Sequence, residues 1–216
     1  MADIAIIDYG MGNLHSVSKA FECIAPATSI IVTSDPNEVR KAARVVFPGQ
    51  GAMPNCMREM DALGLREAIV ESAEKKPFLG ICIGLQMLFE NSEEGNVEGL
   101  GILPGLVRRF PDASMIDTGG QKLKVPHMGW NQVNQLGDHP IWEGIAKDER
   151  FYFVHSYFVD TIDQNQVAAK SVYSFPFVCA IAKDNIFAVQ FHPEKSDKAG
   201  LILLKNFVHW QPVFSC

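Results

Sequence analysis

The chain has 216 residues, 47% of them hydrophobic and 20% charged, with a formal net charge of -6. That balance supports an ordinary globular protein with one sizeable core, and it argues against a nucleic-acid or anionic-membrane surface, since either partner needs a basic stripe that is missing here. The amino terminus carries Asp3 and Asp8 without a preceding basic residue, and no apolar run reaches the roughly 20 residues of a membrane helix, so neither a signal peptide nor a membrane span is expected.

In chain order, "IAIIDY" is a β-branched run of the kind that forms a buried parallel strand, and "GMGN" turns it toward a helix carrying Leu14, Val17, Ala20 and Phe21 at helical spacing. "SIIVTS" predicts a second strand. "DPNEVRKA" predicts a short helix opened by Asp35, with Pro36 at its first position. "RVVFPGQG" predicts a third strand that runs into a glycine-rich loop. A helix from about Asp61 to Lys75 then leads to the strand "PFLGI", and "LQMLFENS" is expected to be the helix after it. This alternation predicts an α/β fold with a mostly parallel central sheet and helices on both faces. Beyond residue 90 or so, short runs such as "KLKVPHMGWNQV", "RFYFVHSYFV", "VAAKSVYSFPFVCAIAKDN" and "IFAVQFHP" predict extra antiparallel strands, within the same sheet or beside it. "SDKAGLILLKNFVHW" closes the chain as a helix, with Ser196 a candidate cap. No linker or repeat divides the sequence, so a single domain spanning residues 1–216 is expected.

Five cysteines (Cys23, Cys56, Cys82, Cys179 and Cys216), odd in number and without a C-x-x-C pair, suit a reducing compartment, and a cytoplasmic location is expected. The six histidines show no ligand spacing, so no metal is expected; no motif calls for a cofactor.

Cys82 lies between Gly80 and Gly84, where a strand turns into a helix. One reading is a buried small hydrophobe at a tight connection. The other is a nucleophile elbow, whose glycines permit the strained turn and whose helix amino terminus favours thiolate. A thiolate nucleophile needs a base that also protonates a leaving group, and histidine suits both tasks. His192 ends a strand-like run, and Glu194 two residues on can share its face and orient the ring. The competing base is His155, inside the apolar run "FVHSY", where a hydrogen-bonded core histidine is the alternative. "PGQG", Pro48 to Gly51, follows its own strand and fits an oxyanion or positioning loop. It matches no phosphate-binding loop, and "GMGN" fails the dinucleotide-binding spacing.

"GICIGLQ" together with "FHPEKS" resembles the class I (triad) glutamine amidotransferases. "IDYGMGNLHSV", "FPGQGAM", "HMGWN" and "YFVHSY" narrow the resemblance to the glutaminase subunits of imidazole glycerol phosphate synthases, over residues 4 to 196. The resemblance implies a flavodoxin-like sheet and a Cys82, His192, Glu194 triad that hydrolyses glutamine through a cysteinyl thioester. It implies oxyanion donors at the backbone of Gln50 and Ile83, and places Gly49 and Gly51 among the substrate-binding residues. It also implies that Gln86, Glu94 and the backbone around Ser156 and Tyr157 hold the substrate. Ammonia would pass to a partner, a (β/α)8-barrel cyclase subunit, met by Asn13, Trp130, Tyr152 and Lys195. Gln50 departs from the family's P-G-V-G loop, where valine is expected at that position.

Overall fold

A computed structural model describes residues 2–111, 115–117 and 119–212. Cys216 lies outside them. The first half alternates as expected: β1 (Ile4–Ile7), α1 (Leu14–Ile24), β2 (Ile30–Thr33), α2 (Pro36–Lys41) and β3 (Arg44–Phe47). Two further helices follow, α3 (Met53–Ala62) and α4 (Arg66–Lys75), and then β4 (Phe78–Ile81) and the one-turn helix α5 (Ile83–Gln86). The second half contributes β5 (Phe89–Ser92), β6 (Val97–Glu98), β7 (Leu103–Arg109), β8 (His127–Gln132), β9 (Asn134–Gln135) and β10 (Arg150–His155). It ends with β11 (Tyr157–Thr161), β12 (Val167–Tyr173), β13 (Phe175–Lys183), β14 (Ile186–Val189) and α6 (Asp197–His209).

The main sheet runs in the order β2-β1-β3-β4-β14-β13-β11-β7-β5-β6, with β12 and β9 attached beyond β13. From β2 to β14 every pairing is parallel, and β13 and β11 then pair antiparallel. β8 and β10 form a separate antiparallel ribbon. The extra strands therefore fall both within the sheet and beside it. β1, β4 and β14 are buried at every position, because helices cover both faces of a parallel sheet and leave no polar side for alternation. α1 and α6 pack on one face, through Val17 and Phe21 against Leu203, Leu204 and Phe207. Val39, Met57, Met60 and Ile69, from α2, α3 and α4, fill the other.

Local signals account for several ends. Asp35 accepts from the amide of Asn37, and Pro36 opens α2, where its missing N–H costs nothing. Three expectations need correction. The helix expected from about Asp61 to Lys75 is two helices starting at Met53: Gly64, at φ +64°, ends α3 in the left-handed region and Leu65 restarts the chain as α4. "LQMLFENS" is not a helix beyond its first turn. Phe89–Ser92 instead pairs parallel with β7, a strand the sequence reading missed. A continuous apolar run has no period that separates helix from strand, so the ladder partner decided the outcome. Ser196 stands at the amino end of α6 but makes no side-chain cap bond; its hydroxyl is bonded to Tyr152 and His192 instead.

Candidate functional site

β3, β4 and β14 are parallel neighbours, so their carboxyl ends leave the sheet at one edge. There the loop after Phe47, the turn after Ile81 and the turn after Val189 converge, as topology dictates for ligand sites in open α/β sheets.

Cys82 joins β4 to α5 with φ 55° and ψ -109°. A non-glycine residue there carries a strain of about 1–3 kcal/mol, held in place because the Cys82 amide bonds Val189 and its carbonyl receives the amides of Leu85 and Gln86. Gly84 is required by proximity: a Cβ there would overlap the carbonyl oxygen of Phe47. The sulfur therefore projects over the sheet edge at the opening of α5, whose first amides have no partner within the helix.

His192 is buried, and its Nδ1 lies 2.8 Å from Glu194 Oε1, with both side chains almost wholly enclosed. A carboxylate only accepts, so Nδ1 carries the hydrogen and Nε2 presents its lone pair or second proton elsewhere. Nε2 is buried without a hydrogen-bond partner. Burial acts to lower the pKa of this ring. The Cys82 sulfur and then the Glu194 carboxylate outweigh it and raise the pKa well above the ordinary imidazole value. His155 is differently placed. Its Nδ1 donates to the carbonyl of Tyr157 at 2.7 Å and its Nε2 accepts from His127 Nδ1 at 2.9 Å, so both nitrogens are engaged. Burial outweighs the bond to the Tyr157 carbonyl and drives its pKa down to about 3. Of the two candidate bases, His192 has the free nitrogen and the favourable charge.

A cleft of about 290 Å³ opens over the sulfur, near the lower end of the roughly 300–1,000 Å³ usual for small-molecule sites. Cys82, Ile83 and His192 line it together with Gln50 and Gly51, with Gln86 and Glu94, and with His155, Ser156 and Tyr157. Gln86 Oε1 is buried without a partner, and Glu94, which also lines the cleft, accepts from the Met53 amide at 2.8 Å. Acceptors among the lining residues suit a ligand that brings N–H groups. Gly49 precedes Gln50 in the loop: a Cβ there would overlap the hydroxyl of Tyr9, which itself donates to the Pro48 carbonyl at 2.9 Å. The loop is held again at Gln50, whose carbonyl accepts from Cys56 Sγ at 3.6 Å. Burial pushes the Cys56 thiol up to about 11, so it keeps its proton and remains a donor.

The residues expected at a partner interface lie around the back of His192. Asn13 shares a small cleft with Gln50, His192 and Glu194. Lys195 follows in the same turn, its amide bonded to the His192 carbonyl at 3.0 Å. Tyr152 accepts the His192 amide at 2.9 Å through its own carbonyl and faces Trp130 directly across the β8–β10 ribbon, ring centroids 6.2 Å apart. Trp130 is 42% exposed.

Sequence reading missed Gln190, Ser196 in its observed role, and Tyr9. Gln190 is fully buried beside the sulfur. A signal existed: it is a lone polar residue in the apolar run "IFAVQF", two places before His192.

The Glutamine amidotransferase class-I family profile matches residues 5–210. The chain is 67% identical over 213 residues to "Imidazole glycerol phosphate synthase subunit HisH" of Nitrosospira multiformis, covering 99% of this chain and 100% of that one. It is 66% identical to the protein of the same description from Aromatoleum aromaticum, covering 98% and 100%. Among solved structures, PurLQS from Thermotoga maritima superposes with a TM-score of 0.67 at 17% identity, over 97% of this chain and 99% of that chain, a likeness of fold. With a family match across nearly its whole length and relatives this similar, the chain belongs to the class-I glutamine amidotransferases.

Proposed function

We propose that this chain is the glutaminase subunit of an imidazole glycerol phosphate synthase. Cys82, as thiolate, attacks the side-chain amide carbon of glutamine. The tetrahedral oxyanion is met by the backbone N–H groups of Ile83 and Gln50, and His192 Nε2 gives its proton to the departing ammonia while Glu194 holds the ring. Water, with His192 now taking a proton, then cleaves the thioester to glutamate and frees the sulfur. Gln86, Glu94 and the backbone at Ser156 and Tyr157 hold the amino acid in the cleft. The observation that carries this reading is the His192 ring, bonded to Glu194 at 2.8 Å, with an unpartnered, buried Nε2 beside Cys82.

Ammonia passes to a (β/α)8-barrel cyclase subunit, which is a second polypeptide; the relatives named for the synthase subunit support that partner. Asn13, Trp130, Tyr152 and Lys195 meet it. The free thiols of Cys23, Cys56, Cys82 and Cys179 are in keeping with a reducing cytoplasm, and the chain acts as one domain.

Glutamate release from glutamine, measured with the purified chain alone and with a cyclase subunit and its nucleotide ligand, tests the reading. Strong stimulation that disappears in Cys82→Ser is expected. Equal, brisk turnover without the partner would overturn the synthase assignment, and turnover that survives Cys82→Ser would overturn the nucleophile.

A further inference from the structure

Gln190 lies one residue beyond β14 and is fully buried, and nothing in the proposed reaction uses it. Its hydrogen bonds form a row whose direction one backbone atom decides. The carbonyl oxygen of Tyr157 can only accept, and the Gln86 carboxamide approaches it at 3.3 Å, so the nitrogen of Gln86 faces Tyr157. The same nitrogen lies 2.9 Å from the Gln190 carboxamide, and two donors cannot face each other, so the atom of Gln190 at that contact is its oxygen. The nitrogen of Gln190 then points to Cys82, where Nε2 lies 3.7 Å from Sγ.

Two consequences follow for the cleft. The sulfur has a buried N–H donor in Gln190, placed there without a titratable group. Gln86, a residue that lines the cleft, has its nitrogen committed twice, which leaves Oε1 buried and unpartnered. An acceptor left bare in this way is costly unless a ligand N–H completes it.

We infer that Gln190 is a positioning residue for this site: it donates to the Cys82 sulfur and, by accepting from Gln86, locks the Gln86 carboxamide so that its oxygen receives an N–H of the bound amino acid. The substrate clause rests on the glutaminase reading; the contact with sulfur does not. Gln190 touches no substrate, and its effect passes through Cys82 and Gln86.

The test compares the wild type with Gln190→Met, a variant of similar length that has no N–H, using the complex with the cyclase subunit. One readout is the rate at which iodoacetamide alkylates Cys82, taken as the difference from Cys82→Ser and read without glutamine. The other is the division of any loss between kcat and KM. Gln190→Met is expected to slow alkylation severalfold and to raise KM about tenfold, the usual weight of one buried hydrogen bond to a ligand. A wild-type value of either quantity in the folded variant overturns the inference. Should Gln190→Met fail to fold, Gln86→Met removes the bond that orients Gln190; it is expected to slow alkylation, and an unchanged rate there overturns the inference equally. A slowed alkylation in a protein that never turns over glutamine, even with its partner, would sink the glutaminase reading and leave the contact between Gln190 and sulfur standing.

Discussion

Ser196 Oγ donates to the carbonyl oxygen of His192 at 2.6 Å while accepting the backbone N–H of Tyr152 at 3.0 Å. One hydroxyl thus ties the His192 turn to β10. Its removal takes away the acceptor of the Tyr152 amide, while the His192 carbonyl keeps the Lys195 amide, so Ser196→Ala is expected to cost about 1–3 kcal/mol, read from denaturant midpoints. It should also lower kcat more than KM, because in the proposed reaction the ring it steadies transfers protons and does not hold the substrate. A loss confined to KM would contradict that placement.

The Cys82 sulfur is the largest influence raising the pKa of His192 against burial, with Glu194 next. Cys82→Ser should therefore bring the His192 titration down, and Glu194→Gln should bring it down as well, by less. Nitrogen-15 spectra of the imidazole across the pH range measure both. A His192 that titrates identically in wild type and Cys82→Ser would show that sulfur and ring do not interact.

Gly84→Ala tests the elbow as a packing problem. The added methyl meets the Phe47 carbonyl oxygen, which belongs to a strand paired on both sides and cannot easily withdraw. A destabilisation of about 3 kcal/mol is expected, at the upper end of what overpacking costs, together with loss of glutamine hydrolysis. Thermal melts and a glutamate assay on the same preparation provide the check; an active, equally stable variant would mean the turn is looser than the geometry indicates.

Two buried histidines, His127 and His155, and the half-buried His139 set an acid limit. Burial lowers the pKa of His127 and His139 to about 4 and that of His155 to about 3. Each is neutral in the fold and takes a proton readily when unfolded, at about 6.5. Below that value the unfolded state binds more protons, so stability is intact above about pH 6.5 and falls as pH drops toward 4. The slope is at most about 1.4 kcal/mol per pH unit for each ring, and less for the half-buried His139. Urea midpoints measured across this range should decline, and His127→Gln with His139→Gln should flatten the decline.

Trp130 stands exposed against Tyr152 on a ribbon whose backbone holds His192. Trp130→Ala is expected to weaken cyclase binding by about 2 kcal/mol or more, the weight of an aromatic anchor at an interface, while shifting the melting of the isolated chain little. Titration calorimetry gives the first quantity. Unchanged affinity would move the interface elsewhere.

Much of this was legible without a structure. The buried runs "IAIIDY", "RVVF" and "PFLGI", separated by helical periodicity and by Asp35 and Pro36, are local patterns. They determine strands, helices and their order because each reflects burial or capping within a few residues. G-x-C-x-G at a strand end and H-P-E on an extended segment likewise carry their chemistry in their spacing. Other features depended on contacts that no local pattern encodes. "LQMLFENS" became a strand because β7 was there to pair with it, and Ser196 left its helix end unbonded because Tyr152 and His192 offered buried groups to satisfy. His192, with its free Nε2, is distinguished from His155 by what the fold packs around each ring: Cys82, 110 residues away in sequence, beside one, and His127, 28 residues away, with the nearby Tyr157 carbonyl around the other. The direction of the row from Tyr157 through Gln86 and Gln190 to the sulfur is of the same kind. Periodicity records how much of a side chain is buried; only tertiary structure decides against which donor or acceptor it is buried, and in this cleft the chemistry depends on that choice.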